Sequence, residues 1–274
     1  MDSRLEIPAL PASHARALQM LGGEQTDIGD LAEVVEGDAG LSGSVLRAAN
    51  SAASAPVSRI TSIHLAIPRI GLRVTREIVL GTVANRAFQR LVDAGMDVEE
   101  TWSHQLMVAM LCHGEARRRA LSVELAESAY ILGLLHDVGR LSMASQEPLR
   151  YRRVMQLVER QMEPLQAERM IFGLTHAEWG GEVARAWDMD PRLAEAIESH
   201  HDAVQEEDAQ LAQTLHSARR ITQNLGIGDG TRRAPVEVPA RTEEDEATLA
   251  LLGGAEGLFA QLEWYRGAMT LAAA

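Results

Sequence analysis

At 274 residues and a net charge of −13, the chain is long enough for a substantial core and too acidic for general binding to a nucleic-acid backbone. Its 26 basic residues are all arginine, which a GC-rich genome explains more readily than fixed-charge recognition of phosphate. The lone Cys112 excludes an internal disulfide, no run of about 20 apolar residues could span a bilayer, and no signal-peptide pattern opens the chain. A cytoplasmic protein with no membrane contact is expected.

Leu, Ala, Met and Val recur at helical spacing between Pro and Gly breaks, so the expected fold is all-α. A helix is predicted over about 11–21, with Pro11 in its first turn. Next come a helix that buries Ile28, Leu31, Val34 and Val35, and another that buries Leu41, Val45, Leu46 and Ala49. A short helix after Ser62 stops at Gly71, and a further one spans about 72–92. Between Ala39 and Val92 seven arginines face Glu77 alone. Arg73 and Arg76 are the candidates here for contact with an acidic protein partner; a DNA-reading helix-turn-helix is the weaker reading.

A long helix over about 98–119 carries His104. A nearly uncharged helical run from Ser128 then delivers His136-Asp137 into apolar surroundings. Helices follow over about 148–161 and 164–172, from His176 to Trp187, from Asp190-Pro191 through His200-His201, and over 211–225. Residues 226–248, with the acidic run Glu243–Glu246, read as a solvated, disordered linker. A terminal helix marked by Leu258, Leu262, Tyr265 and Met269 would dock on its own domain or on a second copy, which leaves homo-oligomerisation open.

Histidines on separate helices around one aspartate are what a divalent transition metal selects. A single such residue is more often a hydrogen-bonded core histidine; the whole set is harder to explain that way. No His-Glu-x-x-His pair occurs, so a metalloprotease is not supported.

The ordered set of Leu5–Pro11, Asp38–Ser51, Ile60–Gly71, Trp102-x-His104, Leu134-Leu-His-Asp-Val-Gly139 and His176 through Trp187 to His200-His201 resembles the HD phosphohydrolase superfamily, and within it the HDOD (HD-related output domain) branch. The resemblance implies an N-terminal helical subdomain (1–95) packed on an HD-like bundle (96–225), followed by an acidic linker and C-terminal helix (226–274). It implies a non-catalytic signal-transduction module that docks a signalling protein, with a cyclic dinucleotide such as cyclic-di-GMP as an alternative ligand.

The related HD-GYP phosphodiesterases are two-metal enzymes, and the resemblance places His104, His136, Asp137, His176, His200 and His201 at their ligand positions. No Gly-Tyr-Pro loop follows His201, and Ala218-Arg219 stands where an Ala-Asp step is expected. Arg219 is expected to pair with Asp137 and weaken metal binding, with His216 as the one substitute ligand in reach. No cofactor is therefore expected; if one binds, it is iron, manganese or zinc. A metal-dependent phosphohydrolase or cyclic-di-GMP phosphodiesterase with an incomplete ligand set is the rival reading.

Overall fold

Side-chain caps open six of the described helices in the computed structural model of this chain. It describes residues 5–8, 28–51, 54, 56, 58–87, 91–202, 210–231 and 240–269, and these contain helices and no strand, so the fold is all-α. The helix predicted over 11–21 lies outside the described residues. The chain forms two compact units. One comprises Met1–Pro8 and Phe88–Leu258, the other Ala9–Ala87 and Phe259–Ala274.

In the second unit, α1 (Ile28–Glu36), α2 (Ala39–Ala49), α3 (Ile63–Ile70) and α4 (Leu72–Ala87) follow one another. Asp38 caps α2 by accepting from the amides of Gly40 and Leu41 at 2.8 and 3.1 Å. Leu31, Val34, Val35, Leu41, Val45 and Ala49 are buried as the pattern predicts, while Ile28, at the first residue of α1, is exposed and Leu46 is only half-buried. Asn50 closes the loop between α2 and α3. Its Nδ2 donates to Leu46 O and Ile60 O, and its Oδ1 accepts from Ile60 N, each at 2.8 Å.

The first unit is built around α5 (Val98–Arg118), which Asp97 caps by accepting from Glu100 N at 2.9 Å. Every side chain from Thr101 to Cys112 is buried, so this helix is wrapped on all sides and has no solvent face. Burial, reinforced by the charge of Glu115, raises the Cys112 thiol well above its usual range and leaves it unreactive in the folded protein. Helix α6 (Val123–Leu135) crosses α5 backbone to backbone: a Cβ on Gly133 would lie 2.6 Å from Ala109 Cα.

Beyond α6 come α7 (Val138–Gln146), α8 (Pro148–Glu159), α9 (Pro164–Phe172), α10 (His176–Ala186), α11 (Pro191–Glu198) and α12 (Gln210–Asn224). Proline at the first position starts α8, α9 and α11, where its missing N–H has no helical partner to lose.

The linker expected over 226–248 is ordered where it is described, although most of those residues are exposed as expected. Residues 226–231 lie against α5, with Gly230 O accepting from Asp97 N at 3.1 Å. The acidic run opens a helix, α13 (Glu243–Leu251), with a Thr242–Asp245 capping box. Carboxylates in a first turn favour the positive end of the helix dipole, and Asp245 is buried against Arg220 at 2.7 Å. A charge run that caps a helix and meets an arginine gains order that composition alone does not reveal.

The last helix, α14 (Gly254–Met269), begins in the first unit and continues past Phe259 in the second. There Leu262 and Tyr265 are buried, and the Tyr265 hydroxyl donates to Glu77, which also pairs with Arg73. Arg73 is thus committed to a buried carboxylate.

Candidate metal centre

The break between α6 and α7 places His136 and Asp137. His136 is the last residue of the α6 turn, and its Nδ1 donates to Gly133 O at 2.8 Å. That fixes the Nε2 lone pair toward Asp137, 3.6 Å from Oδ2. Asp137 stands at the N-cap of α7 yet makes no capping bond. Its carboxylate forgoes the usual stabilisation and turns inward.

Gly139 makes the rest of the geometry reachable. A Cβ there would lie 2.0 Å from His176 O and 2.5 Å from Gly180 N, so α7 and α10 touch through their backbones. His176 opens α10 behind a Thr175–Glu178 capping box. Its Nδ1 donates to the buried Glu168 at 2.6 Å, and Glu168 also accepts from Tyr151 Oη at 2.9 Å. His176 Nε2 then faces Asp137 Oδ1 at 3.1 Å, His200 Nε2 at 3.3 Å and His201 Nε2 at 3.0 Å. His200 Nδ1 donates to Ile197 O at 2.5 Å, which turns its Nε2 lone pair the same way, 3.5 Å from Asp137 Oδ1.

Ligand atoms from Asp137, His176, His200 and His201 therefore converge, as do those from His104, His136 and Asp137. All six residues named from the sequence meet in one cluster, and every one except His201 is buried. Metal–ligand bonds of about 2.1 Å imply ligand–ligand edges of about 3.4 Å in a tetrahedron and about 3.0 Å in an octahedron. The 3.0–3.5 Å separations in the first group fall in that range.

Two guanidinium groups share this interior. Arg140 Nη1 lies 3.3 Å from Asp137 Oδ2 and 2.6 Å from Asp229 Oδ2. Burial alone would raise the Asp137 carboxyl, but Arg140 and the surrounding imidazoles hold it well below the usual range. Asp229 is likewise held low, chiefly by Arg140. Arg219 does not pair with Asp137 as expected: Arg140, three residues along the same helix, has taken that place. Arg219 Nη1 instead donates to His200 O at 2.6 Å, and its Nη2 lies 3.4 Å from His201 Nδ1. Burial, with a smaller contribution from this charge, pushes His104, His136, His200 and His201 below the usual histidine range. His176 is the exception, because Glu168 outweighs burial and raises it.

The HDOD domain profile matches residues 7–203. This chain belongs to the HDOD family. An uncharacterised protein of Treponema pallidum is 24% identical over 198 residues, covering 72% of this chain and 38% of that one. The chain spans well under half the length of the curated relatives it matches. An HDOD protein of unknown function from Geobacter sulfurreducens shares the fold at TM-score 0.71 and 24% identity, over 97% of this chain and 94% of that one. A provisionally named phosphohydrolase of Shewanella amazonensis SB2B does so at TM-score 0.68 and 25% identity, over 96% and 92%. No described helix is long and apolar enough to cross a membrane.

Tested against a metal, this HDOD chain fits one ion better than two. His136 Nε2, Asp137 Oδ1 and His104 Nδ1 are buried without hydrogen-bond partners, and such orphaned atoms are what a bound cation would satisfy. Asp137 and His200 present suitable lone pairs, whereas that of His176 also faces Arg140 Nη2 at 3.3 Å. His201 is in conflict. A guanidinium can only donate, so Arg219 makes His201 Nδ1 the acceptor, and the neutral ring then carries its proton on Nε2, the atom a metal would need. The second group, His104, His136 and Asp137, gains no carboxylate from α12, which offers Arg219 instead. His216 is exposed on its helix and is no substitute.

Sequence reasoning missed Arg140, Glu168 and Asp229. The i,i+3 spacing of Asp137 and Arg140 was a usable signal, and so was the Gly228-Asp229-Gly230 step. A Cβ on Gly230, at φ +79°, would lie 1.9 Å from Thr101 Oγ1, so only glycine lets Asp229 approach. Nothing in the sequence marks Glu168 as the partner of His176.

Proposed function

We propose that this chain is a non-catalytic signal-transduction output module that acts through contacts with a signalling protein, in circuits that include cyclic-di-GMP. Its HD-like core holds at most one divalent ion, through Asp137, His176 and His200. The observation that carries this reading is Arg219, bonded to His200 O and directed at His201 Nδ1. Hydrolysis of a phosphodiester by paired ions needs two metals about 3.5–4 Å apart to clamp the attacking and leaving oxygens. Here a fixed cation is bonded at His200 O and faces His201 in one ligand group, and α12 supplies no carboxylate to the other. A single ion would polarise a bound oxygen or brace the core; the residues around it orient imidazoles and neutralise carboxylates.

Elemental analysis after equilibration with zinc, manganese or iron tests this, together with hydrolysis of bis(p-nitrophenyl) phosphate, for wild type and Arg219→Asp. The wild type is expected to hold no more than one ion and to hydrolyse nothing, and the variant to gain metal. Two ions in the wild type together with turnover would establish the rival reading, a metal-dependent phosphohydrolase, which the orphaned donor atoms favour. Partner docking is poorly tested at Arg73, whose reversal would strand the buried Glu77.

A further inference from the structure

In the second unit, the loop that Asn50 ties shut borders an open cavity of about 810 Å³, within the range of small-molecule sites. Arg47 and Arg59 line it with the hydroxyl residues Ser58 and Thr61, and Leu46 and Ile60 add an apolar wall. Among the described residues, no acidic side chain contributes to this lining, in a chain whose net charge is −13.

Among the described residues, neither arginine meets a counter-charge here. Arg47 spends Nε and Nη2 on a carbonyl and a hydroxyl, Ala268 O at 3.2 and 3.1 Å and Ser44 Oγ at 3.0 Å. Partial burial lowers its pKa with no carboxylate to offset it, whereas Glu77 raises that of Arg73. Arg47 Nη1 makes no hydrogen bond among the described residues, and it is reachable because position 43 has no side chain: a Cβ on Gly43 would lie 3.2 Å from it. Arg59 is exposed and has no ion pair or hydrogen bond among the described residues. Anchoring a guanidinium through two of its nitrogens while a third faces a cavity leaves a pre-organised donor for a tetrahedral anion.

We propose that this cavity binds the phosphate of a small molecule of about nucleoside monophosphate size, held between Arg47 and Arg59 with its organic part against Leu46 and Ile60. This goes beyond the function proposed above and is independent of the histidine cluster.

Calorimetric titration of the full chain with adenosine monophosphate, adenosine and inorganic phosphate tests it. The monophosphate is expected to bind, and adenosine at least tenfold more weakly. Arg59→Ala should weaken the monophosphate at least tenfold with an unchanged melting temperature, and Gly43→Leu should abolish binding by filling the space beside Arg47. Inorganic phosphate that competes but binds more weakly shows that the apolar wall contributes; equal binding assigns the site to free phosphate, within the same chemistry. Adenosine binding as well as its monophosphate, an Arg59→Ala variant that binds like wild type, or no binding at millimolar concentrations overturns the proposal. Capture of a glutamate-rich peptide without any phosphate binding does so as well.

Discussion

Two buried carboxylates of the first unit, Glu115 and Asp137, show how differently the same chain treats an interior charge. Glu115 Oε1 accepts from Arg118 and Arg119 at 2.8 and 3.1 Å, and Oε2 from Arg118 at 2.9 Å and Thr248 at 2.5 Å. Both of its oxygens are engaged twice, and the cluster is a structural tie between α5 and α13. Asp137 sits among imidazoles and two guanidiniums, yet its Oδ1 and the nearby His136 Nε2 and His104 Nδ1 lack hydrogen-bond partners. The first arrangement is closed among protein groups, whereas the second leaves polar atoms that a further partner could engage.

The largest effect should come from breaking the backbone contact that assembles the Asp137 cluster. Gly139→Ala forces a methyl into His176 O and Gly180 N. Neither can give way as a flexible side chain would, so a loss of about 3 kcal/mol or more is expected in denaturant unfolding. A loss below about 1 kcal/mol would mean that α7 and α10 are free to separate.

Glu115→Gln should cost about 1–3 kcal/mol at neutral pH, because it leaves donors from Arg118, Arg119 and Thr248 poorly matched. Burial alone would raise the Glu115 pKa, but its arginine and threonine partners lower it from the ordinary 4.5. A depressed carboxyl stabilises the fold above its unfolded pKa, and that contribution fades as pH falls through the folded value. The wild-type advantage over Glu115→Gln should therefore be full at pH 7 and shrink below about pH 4.5. A gap that stays constant between pH 7 and pH 3 would detach the stabilisation from this charge.

His136→Leu should cost the metal-free protein only about 1 kcal/mol, since it removes the unsatisfied Nε2 together with the single Nδ1 bond to Gly133 O. A loss above about 2 kcal/mol in chelator-treated protein would make His136 as structural as Glu115 and collapse the contrast.

Much of this layout was legible in the sequence because it rests on local rules. Helix α9 begins at Pro164 and ends at Phe172 as predicted, and α5 and α12 lie within a residue of expectation. The six convergent positions could be named because histidine and aspartate are rare on apolar faces. What stayed hidden was set by tertiary contact. Arg140, not singled out in the sequence, becomes the counter-charge of Asp137 and Asp229. Arg219 works through the tautomer of a neighbouring ring, which spacing cannot reveal. Within the exposed acidic run at 243–246, Asp245 alone is buried, and its partner, Arg220, is more than twenty residues away in sequence.

The single thiol offers a way to time the opening of this interior. Cys112 lies two helical turns beyond His104 on α5, with no exposed surface, so an alkylating reagent can reach it only when that helix breathes. Its rate of modification in native buffer is then a clock for excursions of the histidine-bearing core, and any ion that grips the cluster should slow it.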